Sequence, residues 1–314
     1  MRFFCCMRPY YYSLDEYNKE TFGKKLYKLS IAGGTTCPNR DGTKGTGGCI
    51  FCSGGGSGEF TPDCHLSVTE QLESAKARIA QKLVQTSDTQ YIVYFQSYTA
   101  TYAPIEVLRT RFTEALHWKQ TAVLDIATRP DCLPPETLAL LAELQKEKPV
   151  WVELGLQTAN EKTAAVIRRG YENAVYAQAV ESLHRIGIPV ITHMILGLPG
   201  ETREDMLQTV DYLNRVGTDG VKLQLLHVLR GTALADMAYT PLELPAYAEL
   251  VCDCIAHLRP ETVVHRITGD GDKRLLLAPL WSGNKKNVLN TIHKTMRAGN
   301  LRQGSAYKKQ GSPL

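Results

Sequence analysis

The 314-residue sequence lacks any uninterrupted apolar run near the length of about 18 residues that a membrane-spanning helix needs. Its first twelve residues lack both a long apolar core and a small-residue cleavage site, so we expect no secretory signal. No repeat of solenoid length and no low-complexity linker interrupts the chain. These absences predict a cytoplasmic protein without membrane contact, built as one domain rather than two.

The sequence also lacks a strong charge of either sign. Its formal net charge is +4, and 22% of its residues are charged, which is ordinary for a soluble globular protein. A weak basic bias permits a nucleic-acid partner without requiring one.

What the chain has instead is an unusual use of cysteine. Three of its nine cysteines, Cys37, Cys49 and Cys52, fall within a glycine-rich segment over residues 33–58, which we call the cysteine loop. In a reducing compartment such a group indicates a metal site more often than disulfides.

Behind this loop, apolar strand-like runs alternate with amphipathic helical stretches. The predicted strands are 26–32, 91–96, 122–128, 150–155, 189–196, 221–228 and 262–267. The predicted helices are 68–84, 104–118, 134–146, 160–168, 173–186, 202–216 and 244–258. This alternation predicts parallel βαβ units in one α/β barrel, whole or partial. The cysteine loop then follows the first strand at the carboxyl end, where barrels place their chemistry.

The spacing within the loop narrows the choice of metal. Eleven residues separate the first two cysteines and two separate the last pair, so a tight turn presents two thiolates and the flexible loop brings a third. Three thiolates on a [4Fe–4S] cluster leave one iron open to a substrate. A zinc site completed by Cys64 or His65 is the alternative, and cysteines without any metal are a second one.

Several ordered motifs carry a resemblance to a known family. The loop ends Cys49-Ile-Phe-Cys52, the fourth predicted strand ends Gly155-Leu-Gln-Thr, Arg168-Arg169-Gly170 follows, and Ile195-Leu-Gly-Leu-Pro-Gly-Glu-Thr202 comes after the next strand. This set resembles the radical S-adenosylmethionine (SAM) superfamily, in the branch of oxygen-independent coproporphyrinogen oxidase and the Elongator catalytic subunit. The segments CPNRDG, GSGEF, QSYT, TRPD and GLPGET resemble the YhcC/YtqA-like subfamily. The resemblance extends from about residue 17 to about residue 296.

The resemblance implies a fold and two cofactors. The fold is a partial (β/α)6 TIM-like barrel over residues 26–283, with an N-terminal extension over 1–25 and a C-terminal helix and basic tail over 284–314. Cys37, Cys49 and Cys52 would bind one [4Fe–4S] cluster. The cluster, reduced by a protein such as flavodoxin or ferredoxin, would cleave SAM to a 5′-deoxyadenosyl radical.

The resemblance also implies which residues hold SAM, while no further catalytic side chain is assigned. Gln157 should bind the ribose hydroxyls, Arg169 the methionine carboxylate, and the backbone of 197–200 should lie near the adenine. Gln96 stands where many relatives carry a Gly-Gly-Glu segment that binds the methionine amine. Glu153 and His193 should face the barrel interior, as should Asp125. The expected cofactor-binding residues are Phe51, Gln96, Glu153, Gln157, Arg169, His193, Gly197 and Pro199.

The subfamily resemblance implies that the substrate is tRNA, with the wobble carboxymethylaminomethyl-uridine converted to aminomethyl-uridine. Two alternatives stay open: a radical SAM enzyme for a small molecule such as a tetrapyrrole, and a non-catalytic zinc-binding barrel. A broad basic mouth would favour tRNA, and a closed apolar pocket a small molecule. The end of the chain is basic and carries Lys285, Lys286, Lys294, Arg297, Arg302, Lys308 and Lys309. These side chains would either bind the phosphates of tRNA or simply form a solvated helix face and tail.

Overall fold

The computed structural model of the protein describes residues 10–56, 58–80, 88–269 and 271–308. Lys309 and the end of the predicted helix 68–84 therefore lie outside the described residues, as does the start of the N-terminal extension. None of the helices that are described is long and apolar enough to span a membrane.

Seven parallel strands form the main sheet, and they are paired in chain order. They are β1 (Tyr27–Ile31), β2 (Tyr91–Phe95), β3 (Thr121–Thr128), β4 (Val150–Gln157), β5 (Val190–Leu196), β6 (Gly220–Leu225) and β8 (Val263–Arg266). Two short strands, β7 (Val228–Leu229) and β9 (Leu276–Ala278), form a separate antiparallel pair. All seven predicted strands are thus confirmed, except that the run 221–228 divides between β6 and β7.

Helices connect the strands and cover the outside of the sheet. They are α1 (Leu14–Phe22), α2 (Val68–Ala80), α3 (Ile105–His117), α4 (Pro135–Gln145), α5 (Glu161–Val166), α6 (Asn173–Arg185), α7 (Arg203–Val216), α8 (Leu244–His257) and α9 (Lys285–Ala298). The sequence sets their ends: α7 begins with a capping box between Thr202 and Asp205 and ends at Gly217, which has the left-handed φ of 81°.

The sheet is curled into a partial barrel, as predicted. The ammonium of Lys222 on β6 donates to the hydroxyl of Tyr94 on β2 over 3.2 Å. Four strand spacings would hold these two residues roughly 19 Å apart in a flat sheet, beyond the joint reach of their side chains. The sheet therefore closes around an interior that both strands face, while its first and last strands, β1 and β8, remain unpaired with each other.

Strand periodicity divides the buried residues between the two faces of the sheet. On β2, Val93 and Phe95 pack among the helices, whereas Ile92 and Tyr94 face the interior. The interior is filled in layers. Its amino-terminal layer is apolar and contains Leu26, Ile92, Val123, Trp151 and Ile191. Above it lies what we call the polar layer: Tyr94, Asp125, Glu153, His193, Lys222 and Arg266.

The two extensions meet at the open edge of the barrel. Ser13 forms a parallel bridge with Val264 on β8, and the Tyr10 ring stacks on His293 of α9 at 5.7 Å. The edge strand is therefore covered rather than exposed to other chains. The boundaries near 25 and 284 stay predictions.

Candidate active site

A cavity of about 240 Å³ opens at the carboxyl ends of the strands. The cysteine loop forms one wall, and the strands β2 to β8 form the floor and the other walls. The predicted site residues that line it are Cys37, Cys49, Cys52, Phe51, Gln96, Glu153, Gln157, Arg169 and His193. Gly197 and Pro199 are not among the described residues that line the cavity.

The cysteine loop is held by side chains within its own CPNRDG segment. Cys49 and Cys52 share a turn in which the amide of Cys52 donates to the carbonyl of Cys49 over 3.0 Å. The buried Asn39 amide donates to the carbonyl of Arg168 over 2.7 Å and to the Cys49 sulfur over 3.6 Å. Arg40 donates to the carbonyl of Cys52 over 3.0 Å. These contacts orient the thiols and leave them available as metal ligands.

Tyr98 of the QSYT segment closes the loop on its other side. Its amide donates to the carbonyl of Gly56 over 2.9 Å, and its hydroxyl donates to the carbonyl of Gly54 over 2.5 Å. Gly56 has a φ of 58°, and a Cβ there would lie 2.3 Å from the Tyr98 ring. Only glycine fits this position, because a side chain would displace the ring and strain the backbone.

The thiols are arranged for a metal that must displace their protons. Burial, reinforced by the neighbouring Cys52, raises the pKa of Cys49 to about 12. Burial also raises the pKa of Cys52, although the Arg40 guanidinium opposes that change. Loading of a thiolate-bound group should therefore release protons.

The loop geometry does not suit a single zinc ion. Among the described residues, no three of the cysteine sulfurs lie within 4.8 Å of one another. A tetrahedral zinc ion, with Zn–S bonds of about 2.3 Å, needs sulfurs about 3.8 Å apart. The alternative ligands Cys64 and His65 lie together with Asp63 in a separate, exposed group. A wider polynuclear cluster fits the spacing of the loop better.

Gln157 ends β4 in a strained conformation. Its φ is 63°, in the left-handed region that non-glycine residues seldom occupy. Its side chain folds back over Gly155, where a Cβ would lie 2.5 Å from the Gln157 amide nitrogen. The Tyr171 hydroxyl donates to the Gln157 side-chain oxygen over 3.2 Å. The Gly155-Leu-Gln segment thus holds an amide at the cavity wall, with a bulge against β5.

Arg169 is almost fully buried, with 1% of its surface exposed, and its guanidinium is engaged by the protein. It donates to the carbonyl of Thr158 over 2.7 Å and to the Glu161 carboxylate over 2.9 Å. Tyr171 lies between Arg169 and Arg129, each guanidinium carbon 4.8 Å from the ring centre. Binding of the methionine carboxylate by Arg169 stays a prediction, and it would require exchange of one of these contacts.

Five of the six residues of the polar layer, all except Asp125, line the floor of the cavity. Glu153 accepts from Lys28 over 2.9 Å, from His193 over 2.5 Å, and also from Lys222. Lys28 also donates to Asp125 over 2.5 Å. The ammonium groups of Lys28 and Lys222 both lie over the Tyr94 ring, at 4.2 and 4.3 Å from its centre.

This packing distributes charge unevenly among the buried groups. Burial opposes ionisation of Glu153, but the charges of Lys222 and Lys28 outweigh it and hold the pKa of Glu153 well below its usual range. Burial, together with the charge of Glu153, raises the pKa of Asp125 to about 7. Burial also lowers the pKa of Lys222 to about 7 and lowers the pKa of His193. Glu153 is thus the fixed anion of the interior.

Sequence reasoning found Glu153, Asp125 and His193 but missed the cations around them. Lys222 and Arg266 stand in apolar strands just as Glu153 does, so the same signal, a charge within a buried strand, would have identified them. Arg40 and Tyr98 lie inside motifs that the resemblance used only as markers. Their contacts with the loop follow from tertiary structure alone.

Comparison with known proteins decides the family. The model of the Radical SAM superfamily matches residues 34–213, and that of the Radical SAM C-terminal domain matches residues 218–298. The chain belongs to the radical SAM superfamily. It is 41% identical to YtqA of Bacillus subtilis, over 95% of this chain and 93% of that protein. It is 36% identical to YhcC of Escherichia coli, over 93% and 94% of the two chains.

More distant radical SAM proteins match part of the chain. Elongator complex protein 3 of Schizosaccharomyces pombe is 29% identical over 57% of this chain and 33% of its own length. A tRNA-2-methylthio-N(6)-dimethylallyladenosine synthase of Herpetosiphon aurantiacus is 29% identical over 37% of this chain and 27% of its own. The solved structure of the archaeal Elp3 of Methanocaldococcus infernus shares the fold, with a TM-score of 0.66 at 16% identity, over 88% of this chain and 64% of that one.

Radical SAM enzymes use a [4Fe–4S] cluster and SAM, and the donor set of this cavity fits both. Three thiols line the cavity, and they are too far apart to bind a single ion together. Asn39 and Arg40 hold the loop on one side and Tyr98 holds it on the other. Cys37, Cys49 and Cys52 would hold the cluster. The cluster and SAM together would supply radical chemistry at this cavity.

Gly197 and Pro199 occupy a neighbouring position rather than the cavity wall. The carbonyl of Gly197 accepts from the Tyr239 hydroxyl over 2.6 Å, and a Cβ at Gly197 would lie 3.0 Å from Leu242. The segment is thus packed beneath the chain that follows β7. Its contact with the adenine stays a prediction.

Proposed function

We propose that this radical SAM enzyme modifies the wobble uridine of tRNA, converting carboxymethylaminomethyl-uridine to aminomethyl-uridine. The observation that carries the proposal is the polar layer: the cavity ends on ionised and hydrogen-bonding groups rather than on apolar ones. The charged carboxymethylaminomethyl side chain of the uridine can form ion pairs and hydrogen bonds with such groups. The apolar face of a tetrapyrrole would leave these groups without partners, at a cost in desolvation.

The similarity to known proteins supports a nucleic-acid substrate. Both a tRNA-2-methylthio-N(6)-dimethylallyladenosine synthase and an Elongator complex protein are similar to part of this chain. The outer surface is consistent with this role, since no acidic residue follows Asp272 in the sequence. Basic side chains of that region are exposed in the described part of α9 and beyond it: Lys285, Lys286, Lys294, Arg297, Arg302 and Lys308. Such a surface neutralises phosphates and makes binding depend on salt.

The test is direct conversion in the absence of oxygen. Reconstituted enzyme would be incubated with SAM, with a reductant such as reduced flavodoxin or ferredoxin, and with tRNA from a strain that lacks this protein. We expect aminomethyl-uridine to appear in the digested nucleosides while deoxyadenosine is released. Cys49→Ala should give neither product.

Two results would overturn the proposal. One is deoxyadenosine release with no change in any tRNA nucleoside. The other is consumption of a porphyrinogen by the same preparation, which would move the enzyme to the tetrapyrrole class.

A further inference from the structure

One cation of the polar layer, Arg266, has no hydrogen-bond or ion-pair partner among the described residues. Arg266 ends β8 and is the register partner of Lys222 on β6. Because neighbouring parallel strands present register partners on the same face, both side chains point into the cavity, and both line it. Lys222 is bound by Glu153 and Tyr94. Among the described residues, none forms a hydrogen bond or an ion pair with the half-buried Arg266.

The charges of the interior do not balance without a ligand. The carboxylates of Asp125 and Glu153 are matched by Lys28 and Lys222. The guanidinium of Arg266 is left over, and arginine stays protonated at any pH of interest. Among the described residues of the polar layer, the positive charges therefore exceed the negative ones by one.

The other groups near Arg266 do not supply a balancing negative charge. His193 and His265 face the same interior, and burial lowers the pKa of each, so that both are neutral near pH 7. Asp272 at the rim pairs with Arg274 over 2.6 Å, using both carboxylate oxygens. Gln224 and His227 complete the wall, and neither is a carboxylate.

Arg266 can contact the end of a bound substrate that lies away from the cysteines. The cysteine loop, which follows β1, and Arg266, at the end of β8, line the same cavity. A molecule that lies across the cavity therefore presents one end to the cysteines and the other to Arg266. A guanidinium recognises a carboxylate with two parallel hydrogen bonds, and Lys222 beside it adds a second cation.

We infer that Arg266, supported by Lys222, binds the carboxylate of the carboxymethylaminomethyl side chain and so determines substrate specificity. This inference rests on the proposed function, and it adds the residue that distinguishes the charged side chain from an unmodified uridine. Aminomethyl-uridine carries no carboxylate and should therefore bind this subsite more weakly than the substrate does.

The test compares two anticodon stem–loop RNAs that differ only in the wobble side chain, one with carboxymethylaminomethyl-uridine and one with uridine. Their affinities would be measured by fluorescence anisotropy for the reconstituted wild type and for Arg266→Gln, Arg266→Lys and Arg185→Gln. Arg185 is the matched control, because it pairs with Glu181 on the exposed surface of α6. Iron content and thermal melting would verify that each variant is folded and loaded.

We expect the wild type and Arg185→Gln to prefer the carboxylate RNA by about 10- to 100-fold, as for a charge-assisted hydrogen bond. Arg266→Gln should bind both RNAs alike, and Arg266→Lys should retain part of the preference. An equal loss of affinity for both RNAs in Arg266→Gln would mean that Arg266 contacts a phosphate, which overturns the inference. So would a wild type without preference.

Product formation separates this inference from the proposed function. If the wild type makes aminomethyl-uridine and Arg266→Gln does so with unchanged KM, the inference is wrong and the proposed function stands. If the wild type makes none, the proposed function fails, and the carboxylate subsite fails with it. A rise of about 10-fold or more in KM for Arg266→Gln would support both.

Discussion

Replacement of Glu153 by glutamine removes the anion to which three basic groups in the barrel interior are bound. The carboxylate is 1% exposed and accepts from Lys28 over 2.9 Å, from His193 over 2.5 Å and from Lys222. A buried ion pair that loses one partner typically costs about 3–5 kcal/mol, because the remaining charge stays desolvated. For a chain of this size we expect Glu153→Gln to lower Tm by on the order of 10 °C.

The assay is thermal melting of the reconstituted protein without oxygen, followed by circular dichroism. Glu143→Gln is the matched control: Glu143 pairs with Arg109 over 2.6 Å, but about half of each side chain is exposed. Such a surface pair contributes about 0–1 kcal/mol, and 1 M salt should abolish its effect. Salt should leave the loss in Glu153→Gln largely unchanged.

A double variant tests the physical reason for the loss. If the cost comes from stranded cations, Glu153→Gln combined with Lys222→Met should be more stable than Glu153→Gln alone. Equal losses for Glu153→Gln and Glu143→Gln would refute the reasoning, and so would a double variant that is less stable than the single one. Either result would mean that water or repacking satisfies the interior lysines.

Three further predictions concern the interior and the loop. The fold lowers the pKa of Lys222 from 10.5 to about 7. Between these two pH values the lysine is protonated in the unfolded chain but largely deprotonated in the folded protein. The free energy of unfolding should therefore rise with pH over this range, by up to about 1.4 kcal/mol per pH unit. Lys222→Met should flatten that slope in urea unfolding curves between pH 7 and 9, and an unchanged slope would contradict the assignment. Gly56→Ala should reduce the iron bound after reconstitution, since its Cβ would lie 2.3 Å from a tyrosine ring, whereas Gly54→Ala meets nothing within 4 Å and should load normally. Asn39→Ala removes donors to a main-chain carbonyl and to the Cys49 sulfur, so a chelator should extract iron about 10-fold faster, and an unchanged rate would show that the loop holds its shape without this residue.

The order of elements could be read from the sequence because local rules governed it. The strand at 150–157 is apolar nearly throughout, as a doubly covered parallel strand must be, and α7, at Arg203–Val216, lies within the predicted range 202–216. The division of the run 221–228 into β6 and β7 was not foreseen, because strand pairing and not residue type ends β6 at Leu225.

The three cysteines could be predicted as cluster ligands from their spacing, which restricts the chemistry whatever surrounds them, and the structure places all three at one cavity. The contacts of Arg169 and Gly197 within the protein could not be read in the same way. Arg169 is engaged by carbonyls that only the fold brings to it, and Gly197 lies under Tyr239 rather than at the cavity wall. A residue's partners depend on which strands and loops meet, and no local pattern records that.

The sequence by itself determined the family, the alternation of strands and helices, and the three thiols that line the cavity. Tertiary structure alone decided how the interior charges pair. Lys28 and Glu153 are 125 residues apart and Lys222 and Glu153 are 69 apart, yet they meet because the sheet curls. Spacing along the chain carries local propensity, whereas the electrostatics of a buried site depend on distances through space. The unmatched Arg266 becomes visible only when those distances are known.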